Sequence, residues 1–309
     1  MKFLFLFMDG VGLGSDNPRV NPLARAEMPN LDALLGGFKL TASNAPLETE
    51  RATLVPLDAV MGVERLPQSA TGQASLLTGK NIPALIGEHF GPKPNQAVRD
   101  LLAEGNLFSA LAAAGYTAAL LNAYPARYFE AIDRGKRLYS AIPQAVVYAG
   151  LTLNGKDDLF AGSALSADFT GEGWRIHLNM PETPVSTPEQ AGRNLARLAA
   201  SYDLGFFEYW PSDYAGHRQN WEDAVELLEQ FDRVLGGLLE EWDDQQGLIL
   251  LTSDHGNLEA LDTRRHTANL VPGLVIGSAE MRQKFVRGLR TLADVTPAIL
   301  QFYPGARLS

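Results

Sequence analysis

Apolar residues along the chain follow two rhythms: short unbroken runs, and longer stretches with a step of three to four. The unbroken runs Lys2–Met8, Leu204–Trp210 and Leu248–Thr252 end abruptly in turn residues, as buried strands do. Weaker runs predict further strands at Phe38–Ala42, Thr117–Asn122, Ala145–Ala149 and Leu274–Ile276. Asn220–Trp242 carries Val225, Leu228, Phe231, Leu235, Leu238 and Trp242 on one helical face and predicts an amphipathic helix. Helices are also expected at Met28–Leu35, with Pro29 in its first turn, and at Asn106–Ala114, stopped by Gly115. Pro188–Ser201, Ala279–Leu289 and Leu292–Phe302 complete the helical set, while Ser69–Gly79 is a small-residue turn passing into a short helix. Arg51–Leu66 and the Gly/Pro-rich Ile82–Asn95 read as loops.

Strands alternating with helices predict an α/β fold, a doubly wound and mostly parallel sheet flanked by helices. The pattern weakens over 124–188, where Leu151–Thr187 is rich in Gly, Asp, Ser and Thr. The expected organisation is a core of 1–123 and 189–309. Residues 124–188 form a small cap or an elaborated crossover, within the same domain or beside it.

Composition narrows the function classes. With 309 residues, 46% hydrophobic and 20% charged, the chain can bury a substantial core. A net charge of −10 argues against nucleic acid, which needs a basic face. It does not exclude anionic substrates, because bound divalent cations invert the local field. The absence of cysteine removes disulfides, thiolate metal sites and a cysteine nucleophile. The first apolar run, Phe3–Met8, is short for a signal peptide and is interrupted by Asp9; no stretch has the length of a membrane span. A cytoplasmic, soluble protein with no membrane partner is expected, of an oligomeric state the sequence does not reveal.

Chemistry gathers where the strands end, which is where open α/β sheets place their sites. Asp9 follows the first strand, and Gly10, Gly12 and Gly14 follow it without the spacing of a dinucleotide fingerprint. Asp213 and His217 follow the strand Leu204–Trp210; Asp254 and His255 follow Leu248–Thr252, with His266 beyond. A single aspartate after a strand is usually a turn former, and an isolated DxxxH is usually a solvated turn. Yet three of the chain's five histidines lie in these segments beside aspartates, which suits hard divalent ions. Three aspartates and three histidines can serve two ions about 3.5–4 Å apart, one activating a nucleophile and one polarising a phosphoryl oxygen. His89 and His177 sit in no comparable pattern, although His89 could reach a substrate from its loop.

These segments resemble the alkaline phosphatase superfamily, in the branch of cofactor-independent phosphoglycerate mutase and phosphopentomutase. Asp9-Gly10 resembles that family's first ligand, Asp213-Tyr-Ala-Gly-His217 its D-x-x-G-H pair, and Ser253-Asp254-His255-Gly256-Asn257-Leu258-Glu259 its A-D-H-G-N-x-E signature. His266-Thr-Ala-Asn-Leu-Val-Pro272 resembles its H-T-x-N-x-V-P segment. The resemblance covers about residues 1–80 and 200–277. It implies one ion on Asp213, His217 and His266, and another on Asp9, Asp254 and His255 with the nucleophile's oxygen. Ser69-Ala-Thr-Gly-Gln-Ala-Ser-Leu-Leu-Thr-Gly79 is similar to the nucleophile turn and implies Ser69 as nucleophile, with Thr71 second and a helix cap the plain alternative. A serine hydroxyl needs a metal to lower its pKa.

Departures from the family pattern shape the functional expectation. Gln73 stands where the mutases have His and the sulfatases Arg, and Thr71 replaces the sulfatase Pro. The mutases carry a large inserted domain, whereas only about 124–190 is spare here. Shielding a phosphoenzyme from water is then harder, which favours hydrolysis. The leading expectation is a two-metal enzyme hydrolysing a small phosphoester through phosphoserine. A phosphomutase is the alternative, and a non-catalytic metal- or ligand-binding protein is a third reading. Mixed imidazole and carboxylate ligands suit Mn or Zn better than Mg. Lys93, Arg127, Arg264 and Arg265 are the cationic candidates near the site segments, though most Lys and Arg are simply solvated.

Overall fold

Seven runs become strands: β1 (Lys2–Met8), β2 (Leu47–Glu48), β3 (Ala52–Leu57), β4 (Ala118–Leu120), β5 (Leu204–Tyr209), β6 (Gly247–Thr252) and β7 (Val271–Ile276). The computed structural model describes residues 1–308 and joins these strands into one sheet, in the order β2-β3-β7-β6-β1-β5-β4. β1 pairs in parallel with both β5 and β6, and β4 pairs in parallel with β5. β7 is antiparallel to both β6 and β3, and β2 is antiparallel to β3, so only β2 and β7 run against the rest.

β1 has no polar residue after Lys2 because both of its faces are covered. Phe3, Phe5 and Phe7 enter one core, while Leu4, Leu6 and Met8 enter the other. β6 divides likewise, with Leu248 and Leu250 on one side and Ile249 and Leu251 on the other. Each such side chain contributes about 1.5–3 kcal/mol on burial. The carboxyl ends of β1, β5 and β6 therefore lie side by side, fixed by packing on both faces.

Several local expectations change. Phe38–Ala42 forms no strand, and Phe38 is 51% exposed, so its apolar character found no partner. Ala145–Ala149 lies mostly in a helix, Ala141–Tyr148, whose Ile142, Ala145 and Val146 enter the first core; a short apolar run cannot distinguish these outcomes. Arg51–Leu66, read as loop, contains β3. Its Pro56 lies beyond the residues paired with β2, where a missing N–H costs no ladder bond on that side. Ile82–Asn95 begins with a helix, Ile82–Ile86, capped by Asn81. Within 124–188 the described residues form helices and no strand. The first part of that segment packs into the main core through Tyr124, Tyr128 and Ile142, while Leu159, Ala164 and Trp174 make a small cluster of their own with Ala123.

The helices Pro188–Ala200 and Trp221–Glu241 meet backbone to backbone. A Cβ on Gly192 would lie 1.9 Å from the Val234 carbonyl oxygen, and one on Gly237 would lie 1.9 Å from that of Glu189. Gly192→Ala is expected to destabilise the protein by about 1–3 kcal/mol through forced separation of the pair. Denaturant unfolding would measure this, and an unchanged midpoint would refute the close contact.

Candidate metal centre

Three adjacent strand ends deliver the side chains. Asp9 is the first residue past β1. Pro211–Arg218 is a helix directly beyond β5, placing Asp213 and His217 one turn apart on one face. Asp254 and His255 leave β6 in a loop that is fully buried. Gly10 permits the approach of the first two: its φ is +70°, and a Cβ there would lie 2.8 Å from Asp213 Oδ1.

Asp213 Oδ2 is 3.4 Å from His217 Nε2, and its Oδ1 is 3.9 Å from His266 Nε2. The two histidine Nε2 atoms are 3.3 Å apart. Their other nitrogens are committed: His217 Nδ1 donates to the Arg264 carbonyl at 3.0 Å, and His266 Nδ1 to the Pro67 carbonyl at 2.8 Å. A carbonyl only accepts, so each neutral ring carries its proton on Nδ1 and turns a bare Nε2 lone pair toward the other. Two such lone pairs facing each other beside a carboxylate make a donor set suited to a metal cation. Backbone anchoring of the outer nitrogen is also how metal-binding histidines are oriented.

The second group surrounds His255 Nε2, which lies 3.0 Å from Ser69 Oγ, 3.4 Å from Asp9 Oδ1 and 3.7 Å from Asp254 Oδ2. Potential ligand atoms of Asp9, Asp213 and His255 lie within 4.8 Å of one another, so Asp213 stands between the two groups. The His255 and His266 rings stack at 3.7 Å. Asp9 Oδ1 is buried without a hydrogen-bond partner.

Charge explains what this arrangement lacks. Burial, then repulsion from Asp254 and Asp213, pushes the Asp9 carboxyl well above the ordinary carboxylate range. Burial, then Asp213, raises Asp254 to about 7. Burial, then His266, holds His255 well below the usual imidazole value, and burial lowers His266 as well. The carboxyls of Asp9 and Asp254 and the imidazoles of His255 and His266 thus share a largely buried space in which their burial and mutual repulsion are unrelieved, which suits divalent cations.

Ser69 opens the helix Ser69–Thr78, every residue of which is buried. The capping position is Gln68, so the Ser69 hydroxyl does not cap; it turns to His255. A Cβ on Gly72 would lie 2.7 Å from the Asp254 carbonyl oxygen, so this helix packs closely against the loop that carries Asp254 and His255. Thr71 is differently used: its hydroxyl donates to the Gln68 carbonyl at 3.1 Å and accepts from the Phe90 N–H at 3.2 Å. His89 bonds the Val60 carbonyl at 3.1 Å, and Arg264 donates to Gln219 at 2.9 Å. Arg127 and Arg265 are exposed, whereas Lys93 is half-buried.

Sequence reasoning assigned no role to the residues that support these side chains. Glu259, 2% exposed, accepts from the N–H groups of Gly12 (2.9 Å) and Asn257 (2.8 Å), from Asn269 Nδ2 (3.0 Å) and from the Thr267 hydroxyl. Asn257 Nδ2 donates to Asp213 Oδ1 at 2.8 Å, and the Ser253 hydroxyl accepts from Val11 N–H and donates to the His255 carbonyl, both at 2.9 Å. Gln73 Nε2 donates to Asp254 Oδ2 at 3.2 Å and to Asp9 Oδ2 at 3.4 Å. The available signal was the long polar run after a buried strand, since polar residues that follow a core strand into burial must be satisfied by one another.

Comparison with known proteins agrees with this geometry. A profile of the metalloenzyme superfamily matches residues 176–304. The 2,3-bisphosphoglycerate-independent phosphoglycerate mutase of Francisella tularensis is 29% identical over 124 residues, 38% of this chain and 24% of that protein. The corresponding mutase of Wolinella succinogenes is 38% identical over 81 residues, 26% of this chain and 16% of its own. The chain thus spans about a quarter or less of the length of these curated relatives. Among solved structures, the PH0037 protein of Pyrococcus horikoshii superposes with a TM-score of 0.57 at 16% identity, covering 99% of this chain and 97% of that one. The alkaline phosphatase of the Antarctic bacterium TAB5 gives 0.52 at 12% identity, covering 97% and 96%. At these identities the structural likeness is one of fold.

Two expected outcomes follow from the charge arrangement. Glu259→Ala would strand several buried donors, costing about 3 kcal/mol or more of stability and weakening divalent-metal affinity about 10- to 100-fold. Denaturant unfolding and calorimetric metal titration measure these, and wild-type values in both would refute the role. The second concerns pH. In metal-free protein the raised carboxyls favour the folded state below about pH 4, and that advantage is lost as pH rises through the Asp254 value of about 7. The gain in Tm on adding Mn should therefore grow from pH 5 to pH 8, as binding ceases to compete with protons. An equal gain at both ends would contradict it.

Proposed function

We propose that this chain, a member of the alkaline phosphatase superfamily, is a metal-dependent phosphoryl-transfer enzyme that hydrolyses a small phosphoester through a phosphoserine at Ser69. Membership rests on the fold, the matched profile and the motifs; the activity is our reading. One ion is assigned to Asp213, His217 and His266, and a second to Asp9, Asp254 and His255 beside Ser69, with Mn or Zn favoured by the mixed donors and Mg third. When bound, divalent ions lower the pKa of a coordinated hydroxyl and neutralise phosphoryl oxygens.

The observation that carries the proposal is the Ser69 hydroxyl, buried and 3.0 Å from His255 Nε2 inside the carboxylate and imidazole cluster. Ser69 Oγ attacks phosphorus in line; its new P–O bond forms as the ester P–O bond breaks, and the alcohol departs with a proton. Water then attacks the phosphoserine, releasing inorganic phosphate and restoring the serine. Asn257 holds Asp213 during this cycle, and Gln73 holds Asp9 and Asp254, so the carboxylates need not reorganise as charge moves.

A phosphomutase is the second reading, favoured by the names of the curated relatives. Residues 124–188 are the proposed cap, and their own apolar cluster is small, which supports hydrolysis over retention of the phosphoryl group. Ser69→Ala should lower turnover by about 10³-fold or more while metal binding persists, scored on a phosphoester panel with Mn, Zn or Mg. Undiminished activity would remove Ser69 from the mechanism. With isotopically labelled phosphoester, label in free phosphate identifies the hydrolase, and label retained in an isomerised product identifies the mutase.

A further inference from the structure

The six side chains of the centre are not equally enclosed. Asp254 and His255 are wholly buried, and Asp9 and His266 nearly so, whereas the His217 side chain is 43% exposed and that of Asp213 is 20% exposed. The cluster therefore meets solvent at the helix Pro211–Arg218, which carries both of the more open residues. Any part of a bound phosphoester that the centre does not hold leaves the site past this helix.

The outer face of the helix carries two large rings. Trp210, just before it, already has helical backbone angles (φ −80°, ψ −14°) and is 49% exposed; Tyr214, one turn on, is 54% exposed. At about 100° per residue, Asp213, His217, Trp210, Tyr214 and Arg218 follow one another around an arc of about 140°. Ser212, Ala215 and Gly216 face the other way and are buried. Tyr214 is three residues from His217, a spacing that leaves Cβ atoms about 5–6 Å apart on a helix surface. The Arg218 guanidinium lies over the Tyr214 ring at 4.5 Å, which steadies the ring and still leaves half of it in water. Two aromatic side chains thus stand open beside the one exposed histidine of the cluster.

We propose that Trp210 and Tyr214 determine specificity by stacking on a planar aromatic ring in the alcohol half of the phosphoester. The inference rests on phosphoryl transfer at Ser69 and narrows its substrate class. An open platform without side walls cannot enclose an aliphatic group, which would bury one side and leave the rest wet. A flat ring lays a whole face on the indole or phenol and adds the quadrupole attraction of an offset stack. One small molecule can span both places, because the platform occupies the same helical turns as Asp213 and His217. That continuity with the centre assigns the face to substrate rather than to a second protein.

The test compares probes of equal charge that differ in the ring. The Mn-loaded full chain is titrated calorimetrically with phenylphosphonate and with cyclohexylphosphonate. The Mn-loaded Ser69→Ala protein is titrated with adenosine 5′-phosphate and with ribose 5-phosphate, and the two pairs separate aryl from nucleoside substrates. The aromatic probe should bind about fivefold tighter or more in at least one pair. Trp210→Leu and Tyr214→Leu together should close most of that gap, while affinity for inorganic phosphate and thermal unfolding stay near wild type. Equal affinity within both pairs overturns the inference and leaves phosphoryl transfer standing, as does a gap that the double variant keeps. Loss of self-association in the double variant with all affinities unchanged also overturns it and gives the face to a second copy of the chain. A ring preference without turnover of any phosphoester would sink the phosphoryl-transfer reading and leave the platform standing, and no binding of any probe would overturn both.

Discussion

Burying a carboxylate such as Glu259 costs several kcal/mol unless donors surround it, and here the donors come from every loop that carries proposed ligands of the ions. Gly12 belongs to the loop after Asp9, Asn257 to the loop after His255, and Thr267 and Asn269 to the segment that begins with His266. One buried negative charge thus ties together the segments that carry Asp9, Asp254, His255 and His266. Glycine is required at the point of contact, because a Cβ on Gly12 would lie 2.3 Å from Glu259 Oε1. The sheet brings the strand ends within reach, but only this clamp converts neighbouring loops into a cluster of defined geometry.

The two kinds of buried acid in this region behave differently for a physical reason. Glu259 is satisfied by neutral donors. Asp9 and Asp254 are only partly satisfied, and they repel each other and Asp213. The Nε2 atoms of His217 and His266, 3.3 Å apart beside Asp213, favour a cation in the same way. A cluster of this type is costly in the metal-free fold and becomes favourable once cations enter, so metal binding and local stability are one equilibrium.

Much of this was legible in the sequence. The strands that position these side chains, β1, β5 and β6, are largely apolar runs because both faces are covered, and such runs have a clear end at which chemistry can be sought. The edge of the sheet was less legible: β3 contains Pro56, and the helix Ala141–Tyr148 presents as a short β-branched run. In both, tertiary context overrode a local pattern that was ambiguous in itself. At the site, Asp and His stood out as residue types, whereas Glu259, Asn257 and Ser253 act through hydrogen bonds between segments as much as 247 residues apart, as in Gly12 to Glu259. Spacing carries no trace of that partnership.

Gln73 shows how a change of residue type can preserve a site while altering its electrostatics. Its amide nitrogen reaches Asp254 and Asp9 without bringing a positive charge to them. A guanidinium or imidazolium at this position would relieve the repulsion between these carboxylates and would compete with a metal ion for the same oxygens. A neutral donor positions the oxygens and leaves their charge to the metal. A permanent cation among buried carboxylates would form ion pairs too stable to yield to an incoming ion.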